Sequence, residues 1–186
     1  MKNVILLFTT FVCFLLNGCN TGLGTVDDTV ATVESNPSTS QIIVRASTGE
    51  ITASNSTRSD TLGEIVFTGN AILWFNETTK ELRFKDNMSI KPVVSNTMAI
   101  SFYIGNEYLF TSMIYASSLS SQIFNSLVFY YNIIENKFFL TDGYPDVSVL
   151  SDPQKNQEER DENRENIASE WSKFIAQLKK EGRYKN

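Results

Sequence analysis

Four short runs between Met98 and Thr141 constrain this chain most. They are MAISFYI (98–104), YLFTSMIY (108–115), LVFYYN (127–132) and KFFLT (137–141). Each is rich in β-branched and aromatic residues and shorter than an ordinary helix, which marks it as a strand. The linking stretches "IGNEY" and "NIIENK" carry the Gly and Asn of tight turns. Upstream, Ile42–Ala46, Glu64–Thr68 and Ala71–Phe75 have the same texture. In "FNETTKELRFKD" the residues Asn76 to Lys80 form a turn between two aromatic strands. Pro92 interrupts the next segment. Strand, turn and strand repeated without helices predict an antiparallel meander.

Alternation along these runs puts Ile100, Phe102 and Ile104 on one face. Phe110 with Ile114, Leu127 with Phe129 and Tyr131, and Phe138 with Leu140 form matching sets. Tyr103, Leu109, Met113, Val128, Tyr130 and Phe139 fall on the other. They too are apolar or amphipathic, so either both faces are covered or one presents an aromatic surface. Trp74, Tyr103 and Tyr130 are the candidate binding residues on such a surface, for a sugar or a protein; core packing is the competing role for each.

The C-terminal part predicts a helix over 152–181. Ser151 or Asp152 can cap it, Pro153 suits its first position and Gly182 its end. Acids crowd its start and Lys179, Lys180 and Arg183 its end, as the helix dipole favours. Ile167, Trp171, Phe174, Ile175 and Leu178 form one apolar stripe. The first half, Gln154 to Asn166, is polar all round and is expected to project into solvent or fray. The predicted fold class is therefore α+β: an antiparallel sheet over 41–150 with an amphipathic C-terminal helix on one face, making a single domain over 41–186.

The N-terminus reads as an address. Lys2 precedes an apolar run of about 13 residues, Val4 to Leu16. A spanning helix needs about 20, so the run fits a secretory signal. Leu16-Asn17-Gly18-Cys19 resembles a bacterial lipobox, with Asn17 departing from the small or hydroxylated residue usual at its place. The resemblance implies cleavage of residues 1–18 and acylation of Cys19, palmitate among the acyl groups. Two or three chains then hold the protein on the bilayer, at about 0.8 kcal/mol per buried CH₂. The alternative is an ordinary signal cut elsewhere. Asn20 after the cysteine implies, by the same resemblance, the outer membrane; the face stays open. Residues 19–40, rich in Gly, Ser, Thr, Asn and acids, read as a flexible tether or in part as an edge strand.

Composition removes several chemistries. The chain has no histidine, so the usual Ser-His and Cys-His pairs and His-ligated zinc are excluded. Cys13 and Cys19 are its cysteines, both in or beside the leader, so the body holds no disulfide or thiol nucleophile. Net charge is −5 with no basic stripe, which disfavours nucleic acid. Nucleotide-binding and Gly-x-Ser-x-Gly motifs do not occur. "TDGYPD" (141–146) offers Asp142 and Asp146 as oxygens for calcium, but lacks the spacing of an EF-hand and reads first as a turn. No metal site and no cofactor is expected. Glu64, Glu81, Asp86 and Glu107 lie in or beside strands as surface acids, or as a converging carboxylate pair.

The order "ILWFNETTKELRFKD", "LVFYYNIIENKFFLTDGYP" and "SEWSKFIAQLKKEGRY" resembles uncharacterised lipoproteins of gut Bacteroidota. That resemblance spans most of residues 60–184 and implies a small antiparallel sheet with a C-terminal helix, without an established activity. Asp28-Thr29-Val30 and Asp60-Thr61-Leu62 match the Asp-Ser/Thr-apolar pattern of O-glycosylation in Bacteroidota, making Thr29 and Thr61 candidate glycan sites. The expectation is a secreted, lipid-anchored, non-enzymatic binding module of the cell envelope for a protein or glycan. The alternatives are an envelope hydrolase using paired carboxylates and a structural subunit of an outer-membrane complex.

Overall fold

The structure, a computed structural model, describes residues 41–47, 51–52, 55–56, 62–87, 89–90, 98–116 and 122–186. The lipobox with Cys19, the tether, Thr29, Thr61 and Pro92 lie outside these residues. In chain order the elements are β1 (Ile42–Ala46), β2 (Ile51–Thr52), β3 (Asn55–Ser56), β4 (Ile65–Thr68), β5 (Ile72–Asn76), β6 (Glu81–Phe84), β7 (Ala99–Ile104), β8 (Glu107–Ala116), β9 (Val128–Asn132), β10 (Lys137–Thr141), α1 (Pro153–Asn166), α2 (Ala168–Lys180) and β11 (Tyr184–Lys185). β2 and β3 form a two-stranded ribbon. The other nine strands make one sheet in the order β11-β5-β6-β10-β9-β8-β7-β1-β4.

The fold is α+β, but its sheet is mixed, not the antiparallel meander that the strand-turn pattern predicts. β8 runs parallel to β9, and β11 parallel to β5. The first departure has a plain cause. Parallel neighbours need a long return connection, and residues 117–127 supply one, whereas β7–β8 and β9–β10 are joined by short turns. Gly105 (φ 58°) and Asn136 (φ 54°) take the left-handed conformation in those two turns.

Topology also forces the sheet to curl. β4 is its last strand and β5 lies next to the opposite edge, yet only Gly69–Ala71 join the two. Three residues span about 10 Å, so the two ends must meet. Phe67 of β4 accordingly touches Phe84 of β6, ring centroids 5.0 Å apart. Side chains close the remaining seam: Arg183 pairs with Glu181 at 2.5 Å and donates to Asn70 at 3.1 Å.

The concave side holds the core. Phe75, Phe102, Phe110, Phe129, Phe138 and Phe174 are fully buried there. Burying each such ring contributes roughly 1.5–3 kcal/mol. The set placed on one face by alternation is the concave set, with Ile104 and Ile114 at its margin. Leu109, expected on the opposite face, joins the core instead. It is the extra residue where the β7–β8 register slips between Phe102↔Phe110 and Tyr103↔Tyr108, and such a bulge re-aims a side chain.

The expected single helix is two, broken at Ile167. α2 lays Trp171, Phe174, Ile175 and Leu178 on the concave side; Trp171 meets Phe75 and Phe110 at 5.7 Å each. Its end is a Schellman motif: Gly182 (φ 69°) donates to the Lys179 carbonyl and Arg183 to that of Leu178. α1 starts on the Asp152 cap, whose carboxylate accepts from the Lys155 amide at 3.1 Å. Contrary to expectation, α1 is docked, not frayed. Arg160, Asn163 and Arg164 hydrogen-bond to the 125 and 142–145 segments. A polar helix face can dock when every group on it finds a partner. The break lets that face and the apolar stripe of α2 each meet its own surface.

Candidate functional site

The convex face carries an aromatic cluster. Tyr115 of β8, Tyr130 of β9 and Phe139 of β10 lie side by side across three strands: Tyr115 pairs with Tyr130, and Tyr130 with Phe139. Successive ring centroids are 5.9 Å apart. Tyr144 lies against this row, 4.3 Å from Tyr115 and 5.0 Å from Tyr130. It is held by two backbone hydrogen bonds to Phe124, at 2.8 and 2.9 Å. Tyr115 is buried, while Tyr130, Phe139 and Tyr144 stay half-buried. Burial, then hydrogen bonding and repulsion from Tyr115 and Tyr130, push the Tyr144 phenol up to about 12. Tyr144 is thus a neutral hydrogen-bonding group at any physiological pH.

A cleft of about 340 Å³ adjoins this cluster, lined by Met98, Met113, Ile114, Gln122, Ile123 and Phe124. Met113 and Tyr115 are two apart on β8 and so share a face. Phe124 touches Tyr115 at 5.9 Å. Phe124 is thus shared by the cleft and the cluster, and the two adjoin there. Met98 (78%) and Ile123 (51%) stand exposed at its mouth.

Behind the tyrosines, the "TDGYPD" loop is pinned to α1. Arg160 is buried and donates to Asn125 Oδ1 at 3.1 Å and the Pro145 carbonyl at 2.8 Å. Asp142 takes Arg164 at 3.0 Å and Lys80 at 3.8 Å. Asp146 accepts from the Ser148 amide and hydroxyl, which hold its carboxyl below the usual range. The chain bends at Asp142 and Gly143, as an Asp-Gly pair favours. Among the described residues no cluster of three His, Cys, Asp or Glu side chains could hold a metal.

A second polar group surrounds Trp171. Arg164 lies 3.7 Å from the centre of its ring. Its buried Nε1 makes no hydrogen bond of normal geometry. The Tyr184 hydroxyl bonds to Glu77, and that bond, then Trp171, Lys80 and Lys179, hold the Glu77 carboxyl below its ordinary value against the opposing effect of burial.

Of the three aromatics singled out in the sequence, the structure brings only Tyr130 into the cluster. Tyr103 packs on Tyr108 at 5.7 Å, and seven residues at about 3.3 Å, roughly 23 Å along β8, separate Tyr108 from Tyr115. Trp74 has Lys185 Nζ 4.2 Å from the centre of its ring. Of the four acids, Glu81 pairs with Arg83 at 3.7 Å and Glu107 with Lys173 at 2.5 Å, while Glu64 and Asp86 are exposed. None lines the cleft. Tyr144, Tyr115 and the cleft residues escaped sequence reasoning; the Tyr-Pro inside a turn motif was their one available signal. The chain matches no protein-family model, no curated protein and no solved structure. No helix among the described residues is long and apolar enough to cross a membrane.

Proposed function

We propose that this chain is a lipid-anchored, non-enzymatic binding module of the cell envelope, most simply of the outer membrane. Acylated Cys19 ties it to the bilayer and the convex face of the sheet carries the ligand. The observation that supports this best is the tyrosine cluster beside an apolar cleft, joined to it through Phe124, the arrangement expected of a binding site. The sequence points to an envelope protein or glycan as partner, with Thr29 and Thr61 as acceptors for the protein's own glycans.

Hydrolysis by paired carboxylates fits less well. None of the four acids singled out in the sequence lines the cleft, and Glu81 and Glu107 are each paired with a cation, Arg83 and Lys173. Gentle extraction of the native protein and of a Tyr130→Ala/Phe124→Ala variant tests the reading. Compounds that co-purify with the native chain should be lost from the variant while its thermal midpoint stays within a few degrees. Identical cargo on both proteins sinks it.

A further inference from the structure

The cleft lining is selective enough to name a ligand class. We propose that it holds a small uncharged amphiphile, its apolar body against Met98, Met113, Ile123 and Phe124 and its hydroxyl or carbonyl head among the phenols of Tyr115, Tyr130 and Tyr144. This rests on the binding-module reading and replaces its protein or glycan partner with a small ligand.

Charge complementarity decides the class. Among the described residues no charged side chain lines the cleft, and Gln122 is the one polar residue of that lining. A carboxylate or ammonium head would give up water without gaining a counter-ion among the described lining residues. An uncharged head suffers no such penalty, and phenols both donate to and accept from a hydroxyl or carbonyl. A sugar ring needs hydrogen bonds around its whole edge, whereas the phenols lie to one side and the described wall offers a single amide. The cleft holds about 340 Å³. That volume lies at the small-molecule end of ligand sites. Two methionines in the wall let it adapt to chains of different shape.

The methionines also report on the site. The full chain carrying Cys19→Ser, which has no grafted acyl group to compete, is labelled with methyl-¹³C methionine; the sequence holds four methionines. Decanol is titrated first, then decanoate and maltose. Decanol should shift the Met98 and Met113 methyl signals saturably and leave the other two unmoved. Tyr144→Phe should keep the fold and weaken decanol about five- to tenfold, the worth of one hydrogen bond. Decanoate at neutral pH should bind at least tenfold more weakly than decanol. No shift up to the solubility limit of decanol overturns the inference, and so does decanoate binding as well as decanol. Saturable shifts with maltose instead would assign the site to glycans. Equal drift of all four signals would mark nonspecific partitioning, which also overturns it. Any of these results leaves the binding-module reading to its own cargo test, and none depends on whether Cys19 is acylated.

Discussion

Arg164 lies over the ring of Trp171, its guanidinium carbon 3.7 Å from the ring centre, while its Nη1 donates to Asp142 at 3.0 Å. One side chain thereby joins the hydrophobic core to the loop that positions Tyr144. Arg164→Met keeps the packing volume and removes both the cation–π contact and the ion pair. We expect a loss of about 1–2 kcal/mol in urea unfolding. Trp171 emission should shift in the folded variant. An unchanged midpoint and spectrum would show that the contact is incidental.

Gly143 sits under Arg160. A Cβ there would fall 2.2 Å from Arg160 Nε and 2.7 Å from the Phe124 carbonyl oxygen. The carbonyl is backbone and cannot swing aside. Gly143→Ala should therefore cost about 1–3 kcal/mol, and Arg160→Met, which strands the Pro145 and Asn125 acceptors, a similar amount or more. Thermal melts measure both. A neutral Gly143→Ala would mean that the loop has room to move.

Glu77 makes stability depend on acidity. Its folded carboxyl is held below the ordinary value of 4.5, chiefly by the Tyr184 hydroxyl. A depressed carboxyl contributes stability that is complete above the ordinary value and is lost as pH falls through the folded one. Glu77→Gln should therefore be less stable than the native chain at pH 7 and approach it at acid pH. Denaturant midpoints at the two conditions decide it; a constant gap would remove Glu77 from the acid response.

Gly182 isolates backbone strain from crowding. Its φ is 69° and a Cβ would meet nothing within 4 Å. Gly182→Ala should cost about 1 kcal/mol, and Gly182→Asn less, because Asn tolerates the left-handed region. Equal melting of the Ala and Asn variants would count against this account.

Attachment is tested at the sulfur. Cys19→Ser should leave the envelope fraction, and the native protein should yield an N-terminal peptide that begins at an acylated Cys19. An unmodified peptide from a soluble protein removes the lipid-anchor reading.

What was legible was local. The strands Ile42–Ala46 and Lys137–Thr141 stand where alternation puts them, because period-two patterning and turn residues act within a few positions. The N-cap at Asp152 and the end at Gly182 were readable for the same reason. Strand order was not, since nothing in Ile65–Thr68 or Ile72–Asn76 announces that neighbours in sequence lie at opposite sides of the sheet. The docking of α1 stayed hidden because its partners Asn125, Asp142 and Pro145 are distant in the chain. The cleft stayed hidden too: Met98, Met113 and Phe124 carry no signal until three separate segments meet, and Tyr144 was concealed inside a motif that already had a sufficient explanation as a turn.

The seam between the sheet's two ends carries a consequence for biosynthesis. Tyr184 and Lys185 are added beside Phe75 and Asn76, partners more than a hundred residues older. A nascent chain that stops short of Arg183 has neither the outermost strand nor the Arg183 clasp to Asn70. Contacts this remote in sequence form slowly, so that edge of the sheet is completed only after translation has passed residue 185.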